Sequence, residues 1–265
     1  MKKVILFMAF VAGISVVQAQ VKIGGRSINL KKVEETAADV ISAVSLSDED
    51  VATLCRETVE WMDANNPVAD ETGEYSVRLA RLTANLKEAN GIPLNFKVYD
   101  VADVNAFACG DGSIRIFSAL MDLMEDAELI AVIGHEIGHV AGTDVKDAMR
   151  TAYMTSAVIN AAGAASHTVS ALSETQLKDL AKSFVDAQFS QKQEYAADDY
   201  GFEISISNGF SPYAMANALD ILVDLSQSSR ASAVQKMFSS HPDSEKRSKR
   251  IREKADSYVK KSSNL

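Results

Sequence analysis

His135-Glu136-Ile137-Gly138-His139 is the stretch on which the reading of this chain turns. On an α-helix, positions i and i+4 share a face, so the two imidazoles can grip one metal ion together. Glu136 lies one residue on from the first imidazole, placed to act as a base toward a water activated by that ion. The surrounding run from Glu125 to Val140 is strongly apolar, with Leu129, Ile130, Val132, Ile133 and Ile137, which predicts a buried helix. Gly138 inside that helix costs up to about 1 kcal/mol against alanine, so a packing reason for it is expected.

Two histidines leave a zinc ion short of ligands, since a catalytic site takes three from the protein and keeps one position open. The best candidate for the third is Glu194, in Gln193-Glu194-Tyr195-Ala196-Ala197-Asp198. Asp198 is four residues on, hence on the same helix face, and can accept a hydrogen bond from the far nitrogen of a ligating imidazole. Ala196 and Ala197 are small enough to let this helix approach the first one closely. His241, in Ser240-His241-Pro242, is the available imidazole to stabilise an oxyanion, with capping of the next helix as its bland alternative. Arg247 either orients the site or donates to the oxyanion, unless it is a surface residue of a basic helix. His167 is read as structural or surface. One zinc ion per chain would polarise a carbonyl and lower the pKa of water. Glu136 would then move a proton from the water to the leaving amine.

The chain has 265 residues and an ordinary globular composition. Its start, Lys2-Lys3 followed by the apolar run Val4 to Val17, reads as a signal peptide cleaved after Ala19. That leaves residues 20–265 as a single domain. Losing residues 1–19 removes two lysines and no acids, so the charge moves from −9 to about −11. Such a surface excludes nucleic acid and disfavours electrostatic docking on anionic lipid. Cys55 and Cys109 can pair in an exported protein or stand as two separate thiols, and the sequence does not choose.

Helical spacing is predicted after the N-cap Ser47 and again from Tyr75 to Leu86, closed by Asn90-Gly91-Ile92-Pro93. Between these and the metal helix, Phe96–Val101, Val104–Cys109 and Ser113–Phe117 read as strands of a small sheet, antiparallel in part. Everything later reads as helix: Gln176–Phe189, Gln191–Asn208, a start near Pro212, and a charged stretch from Asp243 to Lys260. No stretch after residue 19 suits a membrane span. The fold class is therefore α+β, mainly helical.

The order HEIGH, Glu-Tyr-Ala-Ala-Asp, Ser-His-Pro and Arg247, with Asn105-Ala106-Phe107-Ala108 upstream, resembles the HtpX-like and CAAX-prenyl-protease-like zinc metallopeptidases over about residues 70–255. The resemblance implies a zincin-like (gluzincin) core with a three- to four-stranded sheet. It also implies His135, His139 and Glu194 as ligands and Glu136 as base. Asn105, Ala106, Phe107 and Ala108 would form an edge that pairs with an extended substrate. It further implies an exported member, periplasmic, envelope-associated or secreted, acting on unfolded or misassembled proteins, with peripheral association with envelope proteins as its other contact. Many members carry a histidine five residues past the second ligand, where this chain has Asp144, a difference read as without consequence for the metal. Cys109 would lie beside the cleft, where a disulfide to Cys55 would tie that edge down.

Two other readings compete. A chaperone or assembly factor would use the same cleft to bind clients without cutting them. A latent protease would let His241 take the open position on the metal, and the small-residue stretch from Thr151 to Leu172 could close over the cleft.

Overall fold

The structure, a computed structural model, describes residues 20–23, 26–29, 46–160, 172–229 and 231–264. The predicted signal segment, His167 and positions 161–171 of the small-residue stretch lie outside them. Strands β1 (Gln20–Ile23) and β2 (Arg26–Asn29) form an antiparallel hairpin. Helix α1 (Asp48–Asn65) begins at Ser47, whose hydroxyl accepts the Asp50 N–H while the Asp50 carboxylate accepts the Ser47 N–H at 2.9 Å. This reciprocal cap satisfies two donors that the first turn would otherwise orphan.

Helix α2 (Glu74–Leu82) stops four residues short of the predicted Leu86. The intervening chain turns back instead, as β3 (Glu88–Ala89) and β4 (Ile92–Pro93). Asn90 and Gly91 take left-handed φ values of 50° and 77°, the backbone a tight hairpin turn demands. So Asn90-Gly91 builds a hairpin rather than merely ending a helix.

The sheet has three strands in the order β5 (Asn95–Tyr99), β7 (Ser113–Phe117), β6 (Ala106–Ala108). β5 runs parallel to β7 and β6 antiparallel to it. β6 is shorter than the predicted Val104–Cys109 because Val104 turns its N–H away to the Ala233 carbonyl at 3.0 Å. Helix α1 covers this sheet with Val51, Leu54, Val59 and Met62 buried in one core with Val98, Ile114 and Ile116. Asp63 at its end takes Arg115, Lys97 and Tyr99 from the sheet as partners. The expectation of a Cys55–Cys109 tie is corrected. Both cysteines are free and fully buried, and the Gly110 N–H donates to the Cys55 sulfur at 3.2 Å. Burial and the neighbouring Cys55 raise the Cys109 thiol well above its ordinary range, which keeps it protonated.

The remaining helices are α3 (Ser118–Leu123), α4 (Asp126–Ala141), α5 (Asp144–Asn160), α6 (Glu174–Val185), α7 (Gln191–Ser207), α8 (Ala214–Ser226), α9 (Gln235–Ser240) and α10 (Ser244–Ser262). Among the described residues no helix is long and apolar enough to cross a membrane. α4 is central, with every residue from Leu129 to Val140 buried. Its closest neighbour is α7. A Cβ added at Gly138 would lie 2.8 Å from the Ala197 Cα, and one at Gly134 2.9 Å from the Gly201 Cα. The predicted packing reason for Gly138 is this backbone contact. Ala197 and Gly201 supply the other side of it, whereas Ala196 is exposed and faces away.

Candidate metal centre

Because α4 and α7 touch along glycine and alanine, their polar side chains meet across a short gap. His135 and His139 stand one turn apart on α4, and Glu194 faces them from the first turn of α7. The break between α9 and α10 brings in His241, whose N–H bonds back to the Met237 carbonyl. All four are buried, and their ligand atoms lie within 4.8 Å of one another. His135 Nε2 is 3.1 Å from His139 Nε2 and 3.3 Å from His241 Nδ1. Glu194 Oε1 is 3.0 Å from His241 Nδ1 and 3.4 Å from His139 Nε2, and its Oε2 is 3.6 Å from His135 Nε2.

These separations fit a metal. A tetrahedral zinc with ligands about 2.0–2.1 Å away puts those ligands about 3.3 Å apart. The far nitrogens of both α4 imidazoles are already engaged. His135 Nδ1 is 3.0 Å from Asp198 Oδ1, and His139 Nδ1 is 3.0 Å from Asp144 Oδ2. If each Nδ1–H is donated to its carboxylate and both rings are neutral, the two Nε2 lone pairs point at each other, a pair that a cation between them would satisfy. The charge balance says the same. Glu136, Glu194, Asp198 and Asp144 surround the imidazoles, against one buried arginine, Arg247.

Titration follows that balance. Burial alone would push His139 down, but the Asp144 and Glu194 hydrogen bonds outweigh it and raise the imidazole to about 9. Burial lowers His135, and the contact with Asp198 offsets this only in part, since the Arg247 charge works with burial. Burial would raise Glu194, yet the imidazoles of His241 and His139 hold it well below the usual carboxylate range. Asp198 is likewise desolvated, but Arg247 and then His135 bring it to about 2.

Each residue singled out in the sequence has a defined place. Glu136 is 1% exposed, its Oε1 lacks a hydrogen-bond donor, and His241 Nε2 lies 3.7 Å from that oxygen. Arg247 is buried, not superficial. It grips Asp198 through Nε at 2.9 Å and Nη2 at 2.6 Å, and its Nη1 rests on Glu194 Oε2. Both of its edges are thereby occupied by carboxylates. In β6 the Asn105 carbonyl accepts the Phe117 N–H and the Cys109 N–H bonds Ser113, so Ala106 and Ala108 turn their main-chain groups away from β7, to an edge that no strand pairs with among the described residues. Phe107 packs its ring between Tyr99 and Phe117, and the Asn105 side-chain oxygen is buried without a donor.

Two residues escaped the sequence reading. Asp144 was set aside as inconsequential, yet it holds His139 from behind and is itself fixed by the Gln193 amide at 2.8 Å. Thr143, in a left-handed conformation at φ 65°, breaks the chain so that Asp144 can start α5 and point back. Its place at the first turn of the next helix was the available signal. Phe189 stacks on His139 with ring centroids 4.0 Å apart at 18°, and its N–H bonds the Ser240 carbonyl. The sequence reading carried a helix to Phe189, but that helix, α6, stops at Val185 and leaves the phenylalanine in a loop, where no spacing signal marks its contact.

Comparison with known proteins agrees with this geometry. The profile of "Peptidase family M48" matches residues 75–255. Metalloprotease LoiP of Escherichia coli strain K12 is 40% identical over 237 residues, covering 89% of this chain and 92% of LoiP. Metalloprotease YcaL of the same strain is 37% identical over 213 residues, covering 80% and 82%. The β-barrel assembly-enhancing protease of Yersinia pestis is 31% identical over 172 residues, but they make up only 34% of that protein. The family extent and two matches that each cover four fifths or more of both chains place the chain in peptidase family M48, as a zinc-dependent metalloendopeptidase.

Proposed function

We propose that this protein is an exported endopeptidase of cell-envelope quality control, cutting proteins that have failed to fold or assemble. The observation that carries the catalytic part is the convergence of His135, His139 and Glu194 beside an unpartnered Glu136 oxygen. In this reading His135, His139 and Glu194 hold one zinc ion, while Asp198, Asp144 and Arg247 fix the ligands from behind. When bound, zinc supplies a Lewis acid that polarises the scissile carbonyl and makes water acidic near neutral pH. Glu136 takes a proton from the attacking water and returns it to the leaving amine. The free edge at Ala106 and Ala108 pairs with the substrate main chain and holds it extended, with Asn105 and Phe107 forming its flanks. The client class rests on kinship. One relative is named for enhancing β-barrel assembly, and proteins stalled in envelope assembly are the kind of substrate, and peripheral contact, proposed here.

The test compares wild type with Glu136→Gln on casein, before and after a chelator. Loss of a general base costs about 10²–10⁴ in rate. Wild type should cut, the chelator should abolish cutting, and zinc should restore it. The Glu136→Gln protein should keep its zinc and cut at least about 100-fold more slowly. Equal cleavage by both would remove Glu136 from the mechanism. Binding of casein without cleavage by either would favour the assembly-factor reading.

The position of His241 favours a second reading, latency. With His241 counted, four residues each bring one ligand atom within 4.8 Å of the others, enough to fill a tetrahedral ion and leave no position for water. His241→Ala should gain basal cleavage if the imidazole blocks the metal. It should lose cleavage if the imidazole stabilises the oxyanion.

A further inference from the structure

Two helices, α6 and α7, open on the same Ser-x-x-Gln capping box, at Ser173 with Gln176 and at Ser190 with Gln193. In each, the glutamine Oε1 accepts the serine N–H and hydroxyl, and the serine Oγ accepts the glutamine N–H. A cap of this kind needs only an acceptor on its last residue, so glutamate serves as well as glutamine. α1 makes its own with the Asp50 carboxylate. As far as the helix start is concerned, the amide nitrogen of the glutamine is spare.

At α6 it stays spare, since Gln176 Nε2 makes no hydrogen bond among the described residues. At α7 it is used. Gln193 Nε2 donates to Asp144 Oδ1 at 2.8 Å, and Asp144 Oδ2 lies 3.0 Å from His139 Nδ1. The amide cannot turn over: with Oε1 facing the Ser190 N–H at 2.8 Å, its other arm has to be the donor. One side chain therefore acts on His139 from two directions. It fixes the carboxylate at the edge of the imidazole. It also fixes where α7 begins, and Phe189, the residue just before the cap, lays its ring on the face of the same imidazole. Glutamate at position 193 would keep the cap but lose the Asp144 bond, and would set two carboxylates against each other.

We propose that Gln193 is a positioning residue of the metal centre, holding His139 through Asp144 on one side and through the start of α7 on the other, and that this double duty requires an amide. The inference rests on the reading of His139 as a zinc ligand. It predicts that the same change of glutamine to glutamate, made in two identical caps, alters the metal site from one of them only.

The test measures zinc affinity of full-length variants by competition with a fluorescent zinc chelator, and thermal melting of the zinc-free proteins confirms that each is folded. Gln193→Glu should weaken zinc about tenfold, the low end of what partners behind a metal ligand cost. Gln176→Glu, too far off to couple, should leave affinity within about twofold of wild type. The decisive variant combines Gln193→Glu with Asp144→Asn. That swap exchanges donor and acceptor: the new amide at 144 donates to the new carboxylate at 193 and still accepts from His139. The double variant should therefore bind zinc no more weakly than Asp144→Asn alone, whereas independent losses would multiply. The comparison of those two decides the matter even where Gln193→Glu by itself is unstable. Unchanged affinity in Gln193→Glu, an equal loss in Gln176→Glu, or a double variant about tenfold weaker than Asp144→Asn would each overturn the proposal. Failure of the zinc reading would show separately, as wild-type protein that holds no stoichiometric metal.

Discussion

Two charge clusters of this protein, each around a buried arginine, are built on opposite principles. On the sheet, Asp63 sits between Arg115, Lys97 and Tyr99, and each of its oxygens has two donors. Arg115, 2% exposed, turns its third nitrogen, Nη1, to Asn95 and the Ile114 carbonyl. No oxygen of the Asp63 carboxylate is left without a donor. Between α4 and α7, carboxylates crowd around the imidazoles, the Nε2 atoms of His135 and His139 face each other, and a Glu136 oxygen has no donor. A saturated cluster holds elements together. A cluster with a surplus of converging acceptors is costly to bury without a cation, because buried charge needs a partner. This contrast, more than the number of charged residues, separates a structural network from a ligand site.

The sharpest way to break the contrast is to neutralise one acceptor at the centre. Glu194→Gln should weaken zinc binding at least about 1,000-fold, above the roughly 10–100-fold that outer partners cost. Competition with a fluorescent zinc chelator measures it, and an affinity within tenfold of wild type would remove Glu194 from the ligand set. Neutralising the sheet cluster should do the reverse. Asp63→Asn leaves Arg115 buried without its carboxylate and should lower stability by about 3 kcal/mol. In a protein of this size that is a fall of roughly 6–12 °C in Tm. Zinc affinity of the folded fraction should not change; if it does, the two clusters are coupled through α1 and the sheet.

A smaller effect is expected one step behind the metal. Asp144→Asn can still accept a hydrogen bond from His139 but no longer as a charge, and should weaken zinc about 10–100-fold. Unaltered affinity would return Asp144 to the role the sequence reading gave it.

Why Asp144 was undervalued shows where a sequence is legible. The metal helices could be read because their signals are periodic. Glu194, Ala197, Asp198 and Gly201 fall at i, i+3, i+4 and i+7, one stripe of a helix. The same rule shows why Ala196 was the wrong alanine: two residues from Glu194 is nearly half a turn of the wheel, and the side chain points to solvent. The order of motifs gave the ligand candidates without any coordinates. What depended on backbone breaks was hidden. The aim of Asp144 follows from the left-handed Thr143, the hairpin at Asn90-Gly91 from two such residues in succession, and the contact of Phe189 with His139 from how a loop crosses between helices. Cysteine spacing was equally silent, since two thiols placed side by side by the fold leave no periodic trace.

The smallest expected effect tests the saturated cluster through its titration. Burial would raise the Asp63 carboxyl, but the hydrogen bonds from Arg115, and then those from Lys97 and Tyr99, hold it below its ordinary value of 3.8. A carboxyl whose folded pKa is depressed binds fewer protons in the native state than in the unfolded chain. Its contribution is therefore complete above the unfolded value near 3.9, and it disappears as pH falls through the folded one. The asparagine variant has no such proton to lose, so it serves as the reference. The stability gap between wild type and Asp63→Asn, taken from urea unfolding of zinc-free protein, should be flat from pH 7 to about 5 and narrow below about pH 4. Using metal-free material keeps the imidazole ligands from adding zinc-linked protons to the same curve. A gap that instead widened toward low pH would mean that Asp63 is held in its protonated form, and the cluster on the sheet would then not be a saturated ion pair.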